Sequence, residues 1–292
     1  METRFPDRPD IKGLFILGYI RQSGAVQQVG SVILRRGYSL AGGALTPTTA
    51  GADLVLTDRL RYFRDTGSEI TDPADFGDAA RVNVEQEGDL VPFKPQADLI
   101  VRGAYSTGQH CAVDINGVRR LQRTDALRDL NMFGWAPKVQ GGRRTDGGTW
   151  SDNPAHYPPQ WPPSAPVFSP LPADFSNRFY NGHSRQYQMG GFLPLNQWQP
   201  GTQIDIRRDL AGAPQVHSFT LGNDALRARL YHYCGHGPDD EHHWCGNDLP
   251  LVCDTLIVEP AQNRAQRIWR GHFDLATRPL DTYRRLTVSL SD

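Results

Sequence analysis

The chain has 292 residues, with 31 Lys plus Arg against 32 Asp plus Glu and a formal net charge of −1. A domain of this size buries about 75% of the surface its unfolded chain exposes, so folding needs neither metal nor disulfide. A near-neutral chain without a basic run carries no field to hold nucleic acid or an anionic membrane, which argues against both as partners.

The first thirteen residues, METRFPDRPDIKG, are polar and mixed in charge. They lack the basic-then-apolar pattern of an export signal. The apolar run LFILGYI, Leu14 to Ile20, is too short to span a bilayer. These features lead us to expect a soluble, cytoplasmic protein, and the four cysteines then read as free thiols of a reducing compartment.

The chain reads mostly as strands. LFILGYIRQ and GSVILRRGYSL are β-branched or aromatic-rich and bounded by turn residues. GADLVLTDRLRYF is ambiguous between strand and helix. ADLIVRGAY, Ala97 to Tyr105, leads to CAVDINGVRRLQ, where Asn116-Gly117 separates two alternating segments. That pair suits a type I′ hairpin, because both central residues take positive φ. TDALRDLNMF, Thr124 to Phe133, is a helix candidate with Thr124 as its cap.

From Ser151 to Pro172 the composition changes, with eight prolines in 22 residues. Proline offers no amide to a strand ladder, so an extended segment laid over the sheets is expected, anchored by Trp150, Trp161 and Phe168. Further on, HSFTLGNDALRARLYHY is expected to form a second hairpin, with Leu226, Ala228 and Leu230 on one face and Arg227, Arg229 and Tyr231 on the other. A third is expected to turn at Gln262-Asn263 within DTLIVEPAQNRAQRIWRGHFDL, and YRRLTVSL ends the chain with Leu286, Val288 and Leu290 alternating. The expected fold is all-β, a sandwich or rolled antiparallel sheets with one or two short helices. We expect a single β-rich domain over 1–292, or two closely packed lobes, with 134–200 as the irregular Pro/Trp-rich connection.

Local catalytic signatures are absent. GYSLAG and GHSRQ lack the closing glycine of a nucleophile elbow, and no phosphate loop, dinucleotide fingerprint or His-Glu-x-x-His helix occurs. The stretch YCGHGPDDEHHWCG, Tyr233 to Gly246, offers Cys234, His236, His242 or His243, and Cys245 as a closed structural zinc set. The spacing departs from the common zinc patterns, and Asp239, Asp240 and Glu241 would solvate the loop. A polar strand-to-strand connection is the preferred reading, with metal or a Cys234–Cys245 disulfide as alternatives. His110, beside Cys111 in a hairpin strand, reads as a half-buried strand residue, and His183 and His272 have no carboxylate at useful spacing. Arg267 and Arg270, flanking Trp269, read as a solvated face. No catalytic, cofactor-binding or metal residue is assigned, and no cofactor is expected.

Three ordered segments carry a family resemblance. The first contains Asp89-Leu90-Val91-Pro92-Phe93-Lys94-Pro95, then Ala97-Asp98-Leu99 and Gly103. The second, Pro170 to Trp198, contains Pro172, Asp174-Phe175 and Arg178-Phe179-Tyr180-Asn181. The third contains Asp254-Thr255 and Trp269-Arg270. Together they resemble a large bacterial domain-of-unknown-function family found beside type VI secretion genes, over most of the chain from Val26 to Leu290. Phe133-Gly134 is followed by Trp135, where the family continues with a further glycine.

The resemblance implies a non-enzymatic adaptor or chaperone whose partner is a secreted effector or a spike component. It carries over no catalytic residues. On the residues themselves, Pro92 and Pro95 stiffen the chain, Asp174 is placed to cap a turn through FSNRF, and Trp269 offers an apolar plate to the core. Two other classes remain open: a metal-dependent hydrolase centred on Cys234 to Cys245, and a carbohydrate-binding β-sandwich using exposed tryptophans.

Overall fold

The structure, a computed structural model, describes residues 1–22, 25–57, 59–64, 68–78, 81–86, 88–94, 97–101, 110–123, 197–210, 213–236 and 242–290. The expected helix at Thr124–Phe133, the Ser151–Pro172 segment and the Asp174 cap lie outside these residues, as does His183.

Strands dominate. The largest sheet has six: β2 (Ile11–Gln22), β3 (Ala25–Ser39), β4 (Thr46–Thr48), β8 (Asp98–Val101), β15 (Val252–Glu259) and β16 (Arg264–Asp274), with main order β2-β3-β16-β15-β8 and β4 on β3. One four-stranded sheet has the order β1 (Glu2–Arg4), β17 (Tyr283–Leu290), β13 (Leu226–His236), β14 (His242–Leu249). The other has β10 (Val118–Arg123), β9 (His110–Ile115), β11 (Gln203–Leu210), β12 (Ala213–Thr220). A small sheet pairs β5 (Arg59–Phe63) with β6 (Glu69–Ile70) and β7 (Arg81–Gln86). Of the ambiguous stretch GADLVLTDRLRYF, Arg59–Phe63 is therefore strand, and the helices among the described residues are short 3-10 segments, Pro73–Asp78 the longest at six residues.

The local turn chemistry matches its sequence. Asn116 and Gly117 take φ of 50° and 74° between Ile115 and Val118, which pair directly. Asn263 adopts the left-handed conformation after the 3-10 turn Pro260–Gln262, closing β15 onto β16. Leu286 and Val288 are buried on β17, and Ala228 and Leu230 on β13.

Two expectations are corrected. β12 and β13 do not pair with each other: β12 pairs with β11, and β13 with β14 and β17. The intervening Leu221–Ala225 carries buried Leu221, and its Asp224 is held by arginines of the central sheet, which draws the chain out of one sheet and into the other. Nor are the sheets purely antiparallel. β8 runs parallel to β15 and β1 parallel to β17; such pairs need long connections, and these partners are far apart in sequence.

One face of the central sheet carries Val32, Leu34, Tyr38, Leu256, Ala265 and Trp269. These merge into a single apolar cluster with Leu230, Leu286 and Val288 of one four-stranded sheet and Val113, Ile204 and Phe219 of the other. On the opposite face a smaller cluster, Ile33, Ile257 and Ile268, is covered by Leu54 and Leu90.

Among the described glycines Gly37 marks the tightest backbone approach, where β4 pairs with β3. A Cβ at this position would lie 2.4 Å from the carbonyl oxygen of Ala50 and 2.6 Å from that of Thr48. Gly37→Ala is expected to cost about 1–3 kcal/mol as backbone is forced aside. Urea unfolding should show a lower midpoint at an unchanged slope.

Candidate functional site

β3 and β16 lie side by side at the centre of the large sheet, and each carries two buried arginines. Strand alternation sends one of each pair to either face. Arg267 and Arg270 are 2% and 4% exposed, so the solvated-face expectation is overturned. Their guanidinium groups meet carboxylates, Asp224 from outside the sheet and Asp254 from the neighbouring strand β15, which makes burial tolerable.

On the core face Arg36 and Arg267 stand directly opposite one another. Asp224 accepts hydrogen bonds from both, and Asp10 accepts a second from Arg36 at 2.8 Å. Arg267 lies over the Trp269 ring, 4.7 Å from its centroid, and its Nη1 also donates to the Gly222 carbonyl at 3.0 Å. Burial alone would raise the pKa of Asp10, but hydrogen bonds from Arg8 and Arg36 outweigh it and hold the carboxyl below its ordinary value. Burial, reinforced by the charge of Asp224, pushes the Tyr38 phenol far upward.

On the outer face the segment 88–94 is strapped across β2, β3 and β16. Asp89 receives Nη1 of Arg35 at 2.9 Å and the Val55 amide at 2.8 Å. Arg270 donates from Nε to the Val91 carbonyl at 2.5 Å and from Nη2 to the Asp89 carbonyl at 3.1 Å, while its Nη1 pairs with Asp254. Ser31 donates its hydroxyl to the Pro92 carbonyl at 2.9 Å. Gly18 leaves room for the Pro92 ring, which a Cβ there would meet at 3.2 Å. Beside this strap the Trp198 amide donates to the Cys253 carbonyl at 2.8 Å.

Residues of the first and third ordered motifs thus meet at one place, Asp89 to Lys94 and Asp254 with Arg270, while Pro172, Asp174-Phe175 and Arg178 to Asn181 of the second lie outside the described residues. Where the strap ends, a cavity of about 410 Å³ opens, lined by Phe93, Lys94, Gln197, Pro250, Val252, Asp254, Arg270 and His272. Phe93 and His272 meet edge to face at 5.0 Å between centroids. Burial lowers the His272 pKa, so its imidazole is neutral near pH 7. The wall combines an aromatic and two aliphatic side chains with the already paired Arg270 and Asp254, a surface suited to seating a side chain or small polar group. Sequence reading singled out His272 but had no means of bringing it to Lys94 and Asp254. The missed signal was the pairing of two arginines with tryptophan inside a run otherwise fit for a core.

The Tyr233–Gly246 stretch is also corrected. Cys234 and Cys245 are joined in a disulfide, with Cα atoms 5.8 Å apart, inside the favoured range. They sit on adjacent antiparallel strands, where a register shift between Tyr233 and Gly235 makes Cys234 the extra residue and swings it to its partner. The free-thiol expectation fails for this pair, and two sulfurs bonded to each other supply no thiolates to zinc. Among the described residues no group of three or more His, Cys, Asp or Glu is arranged for a metal ion. Cys253 is free and buried, with burial pushing its thiol up to about 11.

The chain matches no known family model, no curated protein and no solved structure.

Asp89→Ala strips the buried Arg35 of its carboxylate and should cost about 3–5 kcal/mol. By contrast Asp75→Ala, which breaks a pair with Arg64 at 44% and 47% side-chain exposure, should cost less than about 1 kcal/mol; chemical denaturation compares the two. Alkylation of the native protein at mildly alkaline pH, followed by peptide mass spectrometry, should leave Cys234, Cys245 and Cys253 unmodified. Prior reduction should expose only the first two. Labelling of Cys234 without reductant would refute the disulfide.

Proposed function

We propose that this chain is a non-enzymatic adaptor or chaperone, which binds a type VI secretion effector or a component of the secretion spike and helps load it for export. The observation that carries the reading is the meeting of the first and third ordered motifs in one buried network. Asp89 and Arg270 are engaged by backbone amides, carbonyls and opposite charges. Residues so engaged hold a shape, and a rigid platform binds a partner with little ordering cost.

Pull-down with the intact, tagged protein from cells expressing the secretion genes is the test. The expected result is one dominant effector or spike protein in stoichiometric amount; recovery of none overturns the reading. The four ionisable side chains on the cavity wall favour a second reading, an enzyme using that cavity. It predicts no retained partner, and turnover of a small ester, amide or phosphate that Lys94→Met abolishes.

A further inference from the structure

The sheet β1-β17-β13-β14 buries Ala228, Leu230, Leu286 and Val288 on one face, which leaves the other face outward. That outer face is rich in arginine and aromatic rings. Tyr231 stands opposite Arg285 on β17 and opposite Gly246 on β14. Arg285 lies over the Tyr231 ring at 4.5 Å, and Arg229 approaches the same ring at 5.7 Å. A register shift in the β13–β17 pairing releases Arg284, which lies over Trp244 at 5.2 Å. Tyr233 completes the row, meeting Trp244 edge to face at 5.9 Å.

Gly246 permits this layering. A Cβ there would lie 2.6 Å from Arg229 Nε and 2.9 Å from a Tyr231 ring carbon. Arg227, Arg229 and Arg284 are exposed. Among the described residues the acidic groups nearby are Glu2, paired with Arg4 at 2.7 Å, and Asp248, opposite Arg229. The Arg4 hydrogen bond holds the Glu2 carboxyl below its ordinary pKa despite an opposing desolvation effect, with Arg285 and Arg284 adding to the lowering. Among the described residues of this face cations outnumber carboxylates, although the whole chain carries −1.

We propose that this face docks an extended acidic segment of a partner protein. Alternate residues on an extended chain are about 6.8 Å apart, the same repeat that separates Arg227 from Arg229. A partner strand with carboxylates at every second position therefore matches the surface. Guanidinium groups stacked on rings are ordered in advance; Arg229 gives one Nη2 N–H to the Gly246 carbonyl at 3.1 Å, and the five donors of a guanidinium leave others to meet a carboxylate. Nucleic acid fits less well: single strands bind by stacking bases on aromatic faces, and arginines already lie over Tyr231 and Trp244. The inference rests on the adaptor reading only in taking the occupant to be a protein.

The test is a fluorescence-anisotropy titration of the intact protein with a labelled peptide alternating aspartate and threonine. A lysine–threonine peptide and an oligo(dT) of matching charge serve as controls. The acidic peptide should bind, and the double variant Arg229→Glu/Arg285→Glu should weaken it at least about tenfold, as expected for removing facing charges. Arg207→Glu, an exposed site on β11, should leave it unchanged. If the double reversal does not fold, Arg229→Gln and Arg284→Gln are read the same way, each with a smaller loss. No binding, binding indifferent to these changes, or tighter binding of oligo(dT) overturns the proposal. A partner recovered in pull-down yet insensitive to the reversals sinks this face alone. An acidic peptide that binds where no partner is ever recovered sinks the adaptor reading alone.

Discussion

Arg36 and Arg267 face each other across the two central strands, on the side that packs into the main core. Like charges directly opposite in a sheet repel, and an uncompensated buried guanidinium is among the costliest defects a fold can carry. Asp224 resolves this by accepting from both, with Asp10 supplying the second carboxylate to Arg36. Neither acid belongs to β3 or β16. Asp10 lies just ahead of β2, and Asp224 lies in the passage between two other sheets. The pairing of β3 with β16 is therefore secured only when segments from both ends of the chain have arrived.

The outer face repeats the arrangement with other partners. Arg35 and Arg270 meet Asp89 and Asp254, so each face sets two guanidiniums against two carboxylates. The outer pairs also bind backbone, and this converts a charge-neutralising device into a clamp on residues 88–94. A strap held through its carbonyls by Arg270 and Ser31 keeps Phe93 and Lys94 at a fixed place beside the cavity. The same network that stabilises the sheet thus positions what lies on it, and the basic, aromatic face of β13, β14 and β17 presents a second fixed surface elsewhere on the molecule.

Much of this was legible where the determinants are local. Asn116-Gly117 announces its hairpin because few other pairs tolerate positive φ twice. The alternation in ALRARL and RRLTVSL gave the buried faces of β13 and β17 correctly. What escaped depends on distant residues. RIWR reads as a wetted face unless Asp224 and Asp254 are known to sit beside it, and Asp224 is 43 residues from Arg267 in sequence. The β12–β13 stretch imitates a hairpin because two alternating runs flank a polar link; Asp224 within that link is what diverts it. Cysteines eleven residues apart, interspersed with histidines, suit a metal as well as a cross-link until the strands are placed side by side.

Delivery of Asp224 by a late segment sets an order of events during translation. The carboxylate emerges 188 residues after Arg36, which at about 5–20 residues per second is a delay of roughly 10–40 s. Through that interval β2 and β3 can associate as neighbours, yet the ribosome still holds back both the strand that will lie against them and the anion they require. The nascent amino-terminal half thus emerges as an apolar ribbon with an unclosed edge, waiting on chain that has yet to be made.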